Sequence, residues 1–111
     1  MKFDAFKRAL LDVKAWTNEP VIYYRDFGDF GVGVQLDSWG CGWISIAGKT
    51  SAKKLKDAFS EVCRDLTEIK YFLCMTKNKR VGKLCGRIMQ RIDGASNKER
   101  EIYLRENLWA V

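Results

Sequence analysis

Two short segments carry the residues best suited to chemistry in this chain: Gly48-Lys49-Thr50-Ser51 and Asn78-Lys79-Arg80. Each precedes a stretch of helical periodicity, so each offers unpaired backbone amides, a polar cap and cations at a helix N-terminus. That is the chemistry of anion binding. Cations in the first turn oppose the helix dipole by about 0.3–1 kcal/mol each. The chain accepts this twice, with Lys49, Lys53 and Lys54 at one start and Lys77, Lys79 and Arg80 at the other. An anion bound between the two starts reverses the sign of the effect. Gly48, Lys49, Thr50, Ser51 and Asn78 are therefore candidate phosphate or pyrophosphate ligands; the alternative is that the lysines simply face water.

The second constellation is a charge run. Residues 77–92 hold Lys77, Lys79, Arg80, Lys83, Arg87 and Arg91 and no acidic residue, and since the chain carries +6 in total, the remainder sums to zero. On a continuous helix Lys79, Lys83, Arg87 and Arg91 fall at i, i+4, i+8 and i+12 and share one face. With Arg80 they form a candidate surface for an acidic protein or for nucleic acid. Trp16, Tyr23, Tyr24, Phe27, Phe30, Trp39, Trp43 and Trp109 could serve single-stranded nucleic acid by stacking, although large aromatics more commonly fill a small core.

Several chemistries are excluded or weakened. The chain has no histidine, which removes catalysis that needs an imidazole base. Cys41, Cys63, Cys74 and Cys85 stand singly within apolar patterns, with no C-x-x-C pair, and read as core packing rather than zinc ligands or disulfides. Gly42 and Gly48-Lys49-Thr50 imitate a P-loop, but five residues separate the glycines where that motif needs four. No run approaches the roughly 18 apolar residues of a membrane span. The stretch Met1–Arg8 is amphipathic rather than basic and then apolar, which predicts no signal peptide and a cytoplasmic protein without membrane partners.

The elements that must position these residues follow from periodicity. At 111 residues and 47% hydrophobic, the chain is sized for one domain spanning residues 1–111. Phe3, Phe6, Leu10 and Val13 predict a first helix to about Trp16, stopped before Pro20. Val21–Tyr24, Gly31–Leu36 and Cys41–Ala47 predict three antiparallel strands joined by turns at Asp26–Asp29 and Asp37–Gly40. Leu55, Phe59, Val62 and Leu66 mark a second helix. The nearly unbroken apolar run Ile69–Met75 predicts a central strand buried on both faces. Asn78 caps a third helix with core face Val81, Leu84, Cys85, Ile88 and Ile92, and Glu101–Arg105 predicts a last strand. The fold class is α+β, with about three helices on a mixed sheet of about five strands in the order αβββ-α-β-α-β. Parallel strands flanking the second helix would bring the two candidate loops to the carboxyl edge of one sheet.

This order, together with Trp43-Ile44-Ser45-Ile46-Ala47-Gly48-Lys49, the long helix and Phe72-Leu73-Cys74-Met75-Thr76-Lys77-Asn78, resembles the GNAT-type N-acetyltransferases, and in particular the very short GNAT-like proteins of tailed phages. The resemblance runs from about Val21 to Arg105. It implies that acyl-coenzyme A would lie between two splayed parallel strands, with its pyrophosphate on the loop from Gly48. The chain departs from the family's Q/R-x-x-G-x-G/A loop, offering Ala47-Gly48-Lys49-Thr50-Ser51-Ala52, and its third strand carries no carboxylate to serve as base. The expectation is a non-catalytic phage protein without cofactor, located in the host cytoplasm or virion. It would bind an acidic surface or a nucleoprotein of host or virion, and could inhibit a bacterial enzyme or defence complex. An acetyltransferase using acetyl-coenzyme A and a nucleic-acid-binding protein are the alternatives.

Overall fold

A computed structural model describes residues 1–12 and 17–111. The expected helical positions Val13 to Trp16 lie outside them. Helix α1 (Phe3–Asp12) is followed by strands β1 (Val21–Asp26), β2 (Phe30–Leu36) and β3 (Gly42–Gly48), then α2 (Ala52–Asp65), β4 (Tyr71–Thr76), α3 (Lys79–Cys85), a two-residue β5 (Gln90–Arg91), a 3₁₀ turn (Asp93–Ala95) and β6 (Glu101–Glu106). The protein is α+β, and its strands form one mixed sheet in the order β1-β2-β3-β4-β6-β5. Among the described residues only β3 and β4 pair in parallel.

Alternation along the strands gives the sheet two different faces. Phe30, Val32, Val34, Ile44, Phe72, Cys74 and Tyr103 point to one side, where α2 supplies Leu55, Phe59 and Val62 and α3 supplies Cys85. Phe59 meets Phe72 edge-on at 5.6 Å between ring centroids. On the other side α1 packs over β2 and β3. There β2 presents Gly31 and Gly33, and the space goes to aromatic rings: a Cβ on Gly33 would lie 2.8 Å from the ring of Phe6, itself fully buried.

Two expectations need correction. Strand β4 is central but not buried on both faces: Phe72 and Cys74 are buried while Tyr71 and Met75 are exposed. The helix on the second face packs mainly on β2 and β3 rather than on β4. The third helix also stops at Cys85 instead of reaching Ile92. Gly82 and Gly86 each weaken helix formation by about 1 kcal/mol relative to alanine. The chain tightens into successive turns, with Arg87 N–H on Leu84 C=O and Ile88 N–H on Cys85 C=O, and Gln90 and Arg91 then join the ladder of β6.

Candidate functional site

The loops from Gly48 and Asn78 do follow adjacent parallel strands, and both leave the carboxyl edge of the sheet. Strands β3 and β4 pair only through Gly42 with Phe72 and Trp43 with Leu73. Beyond those pairs β3 stays with β2 as far as Gly48, and β4 stays with β6 as far as Thr76, so the sheet opens between them.

The backbone at the two helix starts is largely engaged by the chain itself. Gly48 adopts φ +104°, a conformation that favours glycine, and the next amide, Lys49 N–H, donates to Asp29 C=O at 2.9 Å. Ser51 Oγ caps α2 by accepting from Lys54 N–H, while the Thr50 hydroxyl donates to Ser51 C=O. At α3, Asn78 Oδ1 accepts from both Arg80 and Val81 N–H at 2.9 and 3.3 Å. Asn78 thus caps α3 as the sequence predicts, Ser51 caps α2 as well, and both occupy amides that an anion would otherwise use.

The basic residues assemble differently from a helical stripe. Lys79, Arg80 and Lys83 lie on α3, Arg87 lies in the turn beyond it, and Arg91 lies on β5. The common face expected of Lys79, Lys83, Arg87 and Arg91 therefore does not form. A different group converges: Lys77, Lys79, Arg91, Lys98 and Arg100 line an open cleft of about 560 Å³, together with Thr76, Asn78, Asn97, Glu99 and Glu101. Both walls are ordered by side-chain-to-backbone bonds. Thr76 Oγ1 accepts from Asn78 N–H at 3.1 Å on one side, and Asn97 Oδ1 accepts from Glu99 and Arg100 N–H at 2.8 and 3.0 Å on the other.

Five cations face two carboxylates in this cleft. One carboxylate, Glu101, accepts a 2.7 Å hydrogen bond from the phenol of Tyr103. Burial, with Glu101 adding to it, pushes the Tyr103 hydroxyl up to about 12. Arg91 pairs with Asp93 at 2.5 Å. Lys98 and Arg100, missed in the sequence reading, belong to the cleft because the antiparallel pairing of β4 with β6 sets Thr76 opposite Glu101. Only that pairing could have revealed them, since their own segment contains Glu99 and Glu101 and has no charge bias.

Among the described residues no aromatic lines the cleft. Trp39 is 88% exposed on the β2–β3 turn, a position at which burial is not expected, and Trp109 is 51% exposed rather than filling the core. Trp109 stacks under Arg64, whose guanidinium lies 4.9 Å from the ring centroid. The turn that holds Trp39 is built on Asp37, whose Oδ1 accepts from Trp39 and Cys41 N–H and whose Oδ2 accepts from the indole of Trp43 at 2.8 Å.

Among the described residues no group of His, Cys, Asp and Glu is placed to hold a metal ion, and no helix is long and apolar enough to cross a membrane. No family model, curated protein or solved structure matches the chain.

Proposed function

We propose that this protein works by binding, and that its ligand is an acidic segment of another protein held in the basic cleft. The observation that carries this reading is the convergence of Lys77, Lys79, Arg91, Lys98 and Arg100, from three separate stretches of chain, on one open cavity of about 560 Å³. Like charges gathered around a cavity repel, and a bound polyanion converts that repulsion into attraction and faster encounter. Thr76, Asn78 and Asn97 add neutral polar groups to the lining. Sites for single-stranded nucleic acid combine cations with stacking platforms; a lining with no aromatic among the described residues favours a carboxylate-bearing peptide.

The kinship proposed with the GNAT-like fold draws support from one feature, the parallel pair β3 and β4 that parts beyond Gly42 and Trp43. The same opening favours a second reading, acetyl-coenzyme A binding with acyl transfer. Against it stand the self-occupied amides of Lys49, Arg80 and Val81 and the absence of any carboxylate on β3. Calorimetry with acetyl-coenzyme A separates the two, and a dissociation constant below about 10 μM, near −7 kcal/mol, supports the transferase.

The binding reading is tested by fluorescence anisotropy with a labelled oligoglutamate and a labelled single-stranded oligonucleotide of equal charge. Lys77→Glu, Lys79→Glu and Arg100→Glu combined should remove oligoglutamate binding without changing the melting temperature. Reversal of Lys53, Lys54 and Lys56 on α2 should leave most of it. Equal losses from the two triple variants would mean nonspecific attraction, and tighter binding of the oligonucleotide would replace the acidic peptide with nucleic acid.

A further inference from the structure

We propose that Cys74 and Cys85 are an oxidation site: a hydroperoxide converts them, in the folded protein, to a disulfide that ties α3 to β4. The two thiols sit on different elements, Cys74 within β4 and Cys85 at the last position of α3, and their sulfur atoms lie 3.8 Å apart. A disulfide needs about 2.0 Å between sulfurs, so side-chain rotation and a small shift of α3 suffice. That helix is seven residues long, contains Gly82 and ends at a Gly86 cap, so it is the helix best able to make the shift. By contrast Cys63 lies on α2 and Cys41 precedes β3, and among the described residues neither is within bonding distance of another thiol.

Burial selects the oxidant. Cys74 is 4% exposed and Cys85 fully buried, which excludes bulky disulfides and leaves a small hydroperoxide entering during brief openings of α3. The hydrogen bond shared with Cys74 holds the Cys85 thiol below its ordinary range, although burial and the Glu101 carboxylate act against it, and the same bond raises Cys74. Cys85, at the end of the short helix that must open, is taken as the attacking sulfur, and the balance is the same if Cys74 attacks first. Its thiolate attacks one peroxide oxygen, the O–O bond breaks, and the departing hydroxide takes up a proton as water, leaving Cys85 as a sulfenic acid. Cys74 sulfur then attacks Cys85 sulfur, the S–O bond breaks, and the hydroxide leaves as water with the Cys74 proton. Two thiols lose two electrons, and one hydrogen peroxide becomes two waters.

The new bond closes a loop from Cys74 to Cys85 that contains Thr76, Lys77, Asn78 and Lys79, one wall of the basic cleft. Oxidation thus fixes that wall, whatever the cleft binds.

The test treats reduced, folded, full-length protein with hydrogen peroxide, blocks remaining thiols with iodoacetamide, and maps the digest by mass spectrometry. The expected product is a peptide pair joined through Cys74 and Cys85, with a melting temperature raised by roughly 5–10 °C and restored by dithiothreitol. Cys41 is the internal control, since it is partly exposed. Recovery of alkylated Cys74 and Cys85 from samples in which Cys41 has oxidised would overturn the proposal. So would a Cys74–Cys85 link that forms only in denaturant.

Discussion

Tyr103 donates its phenol proton to Glu101 in the space left open by Gly82: a Cβ at position 82 would fall within contact of the carboxylate and 3.2 Å from the Tyr103 hydroxyl. The glycine is thus tied to a polar pair that stands well beyond its own helix in the sequence, on β6. Gly82→Ala should destabilise the protein by about 1 kcal/mol, since it displaces Glu101 from its donor. In a Glu101→Ala background the same change should stabilise by up to about 1 kcal/mol, the ordinary helix gain of alanine. Urea unfolding of the four proteins decides it, and a Gly82→Ala effect of one sign in both backgrounds would disprove the coupling.

Two tyrosines should govern alkaline stability. Burial, aided by the acceptors Asp65 and Glu101 respectively, pushes both Tyr23 and Tyr103 from an ordinary value of 10.0 up to about 12. Their contribution is complete below pH 10, where both states are protonated, and is lost as pH rises through the folded values near 12. Melting temperature followed across that window should fall steeply for the native protein. The fall should be shallower in the double variant Tyr23→Phe, Tyr103→Phe, and parallel curves would refute the assignment.

Asn107 should be among the most sensitive polar positions. Its buried side-chain amide donates to Cys63, Leu66 and Ile69 C=O at 3.0, 3.0 and 2.9 Å, and its Oδ1 accepts from Trp109 N–H. It therefore closes the end of α2 and fastens the lead-in to β4. Asn107→Ala should cost about 2–3 kcal/mol by taking the side-chain donor from the Cys63 and Ile69 carbonyls and one of two donors from Leu66 C=O, which keeps Ile69 N–H. Asn107→Asp should cost more at neutral pH, where a carboxylate faces three carbonyl oxygens, and should recover as the pH falls and the acid regains a proton. A pH-independent deficit for Asn107→Asp would show that packing, not charge, sets the cost.

For the basic surface, position in the cleft should outweigh position on the helix. Lys83 and Arg87 are absent from the lining that includes Lys77 and Lys79. Reversal of Lys77 and Lys79 should reduce oligoglutamate affinity at least ten-fold, while reversal of Lys83 and Arg87 removes equal charge at a few-fold cost. Anisotropy titrations at two salt concentrations test this, and equal losses would restore the helical face as the contact surface.

Much of this was legible because local rules and the global fold agree. The caps Ser51 and Asn78, the apolar spacing of α2 and the meander of β1 to β3 each follow from a few neighbouring residues. The third helix was misread because Ile88 and Ile92 continue the helical period of Val81, Leu84 and Cys85, whereas pairing with β6, a non-local event, captures Gln90 and Arg91. Asn107 escaped notice because an isolated asparagine between Glu106 and Leu108 looks like a surface turn. Its value depends on carbonyls some forty residues away. The cleft was half visible for the same reason: Lys77, Asn78 and Lys79 advertise their charge locally, and Lys98 and Arg100 do not.

The narrow parallel junction has a consequence for how the chain reaches its folded state. With two residue pairs joining β3 to β4, the backbone ladder gives little information about how the two halves of the sheet should meet. That alignment falls to side chains carried by the crossover, above all Phe59 against Phe72. The β1 to β3 meander is made of contacts close in sequence and can organise early. The slow step is then the docking of α2 with β4 in its grip, so truncations at Phe59 should retard folding more than they hasten unfolding.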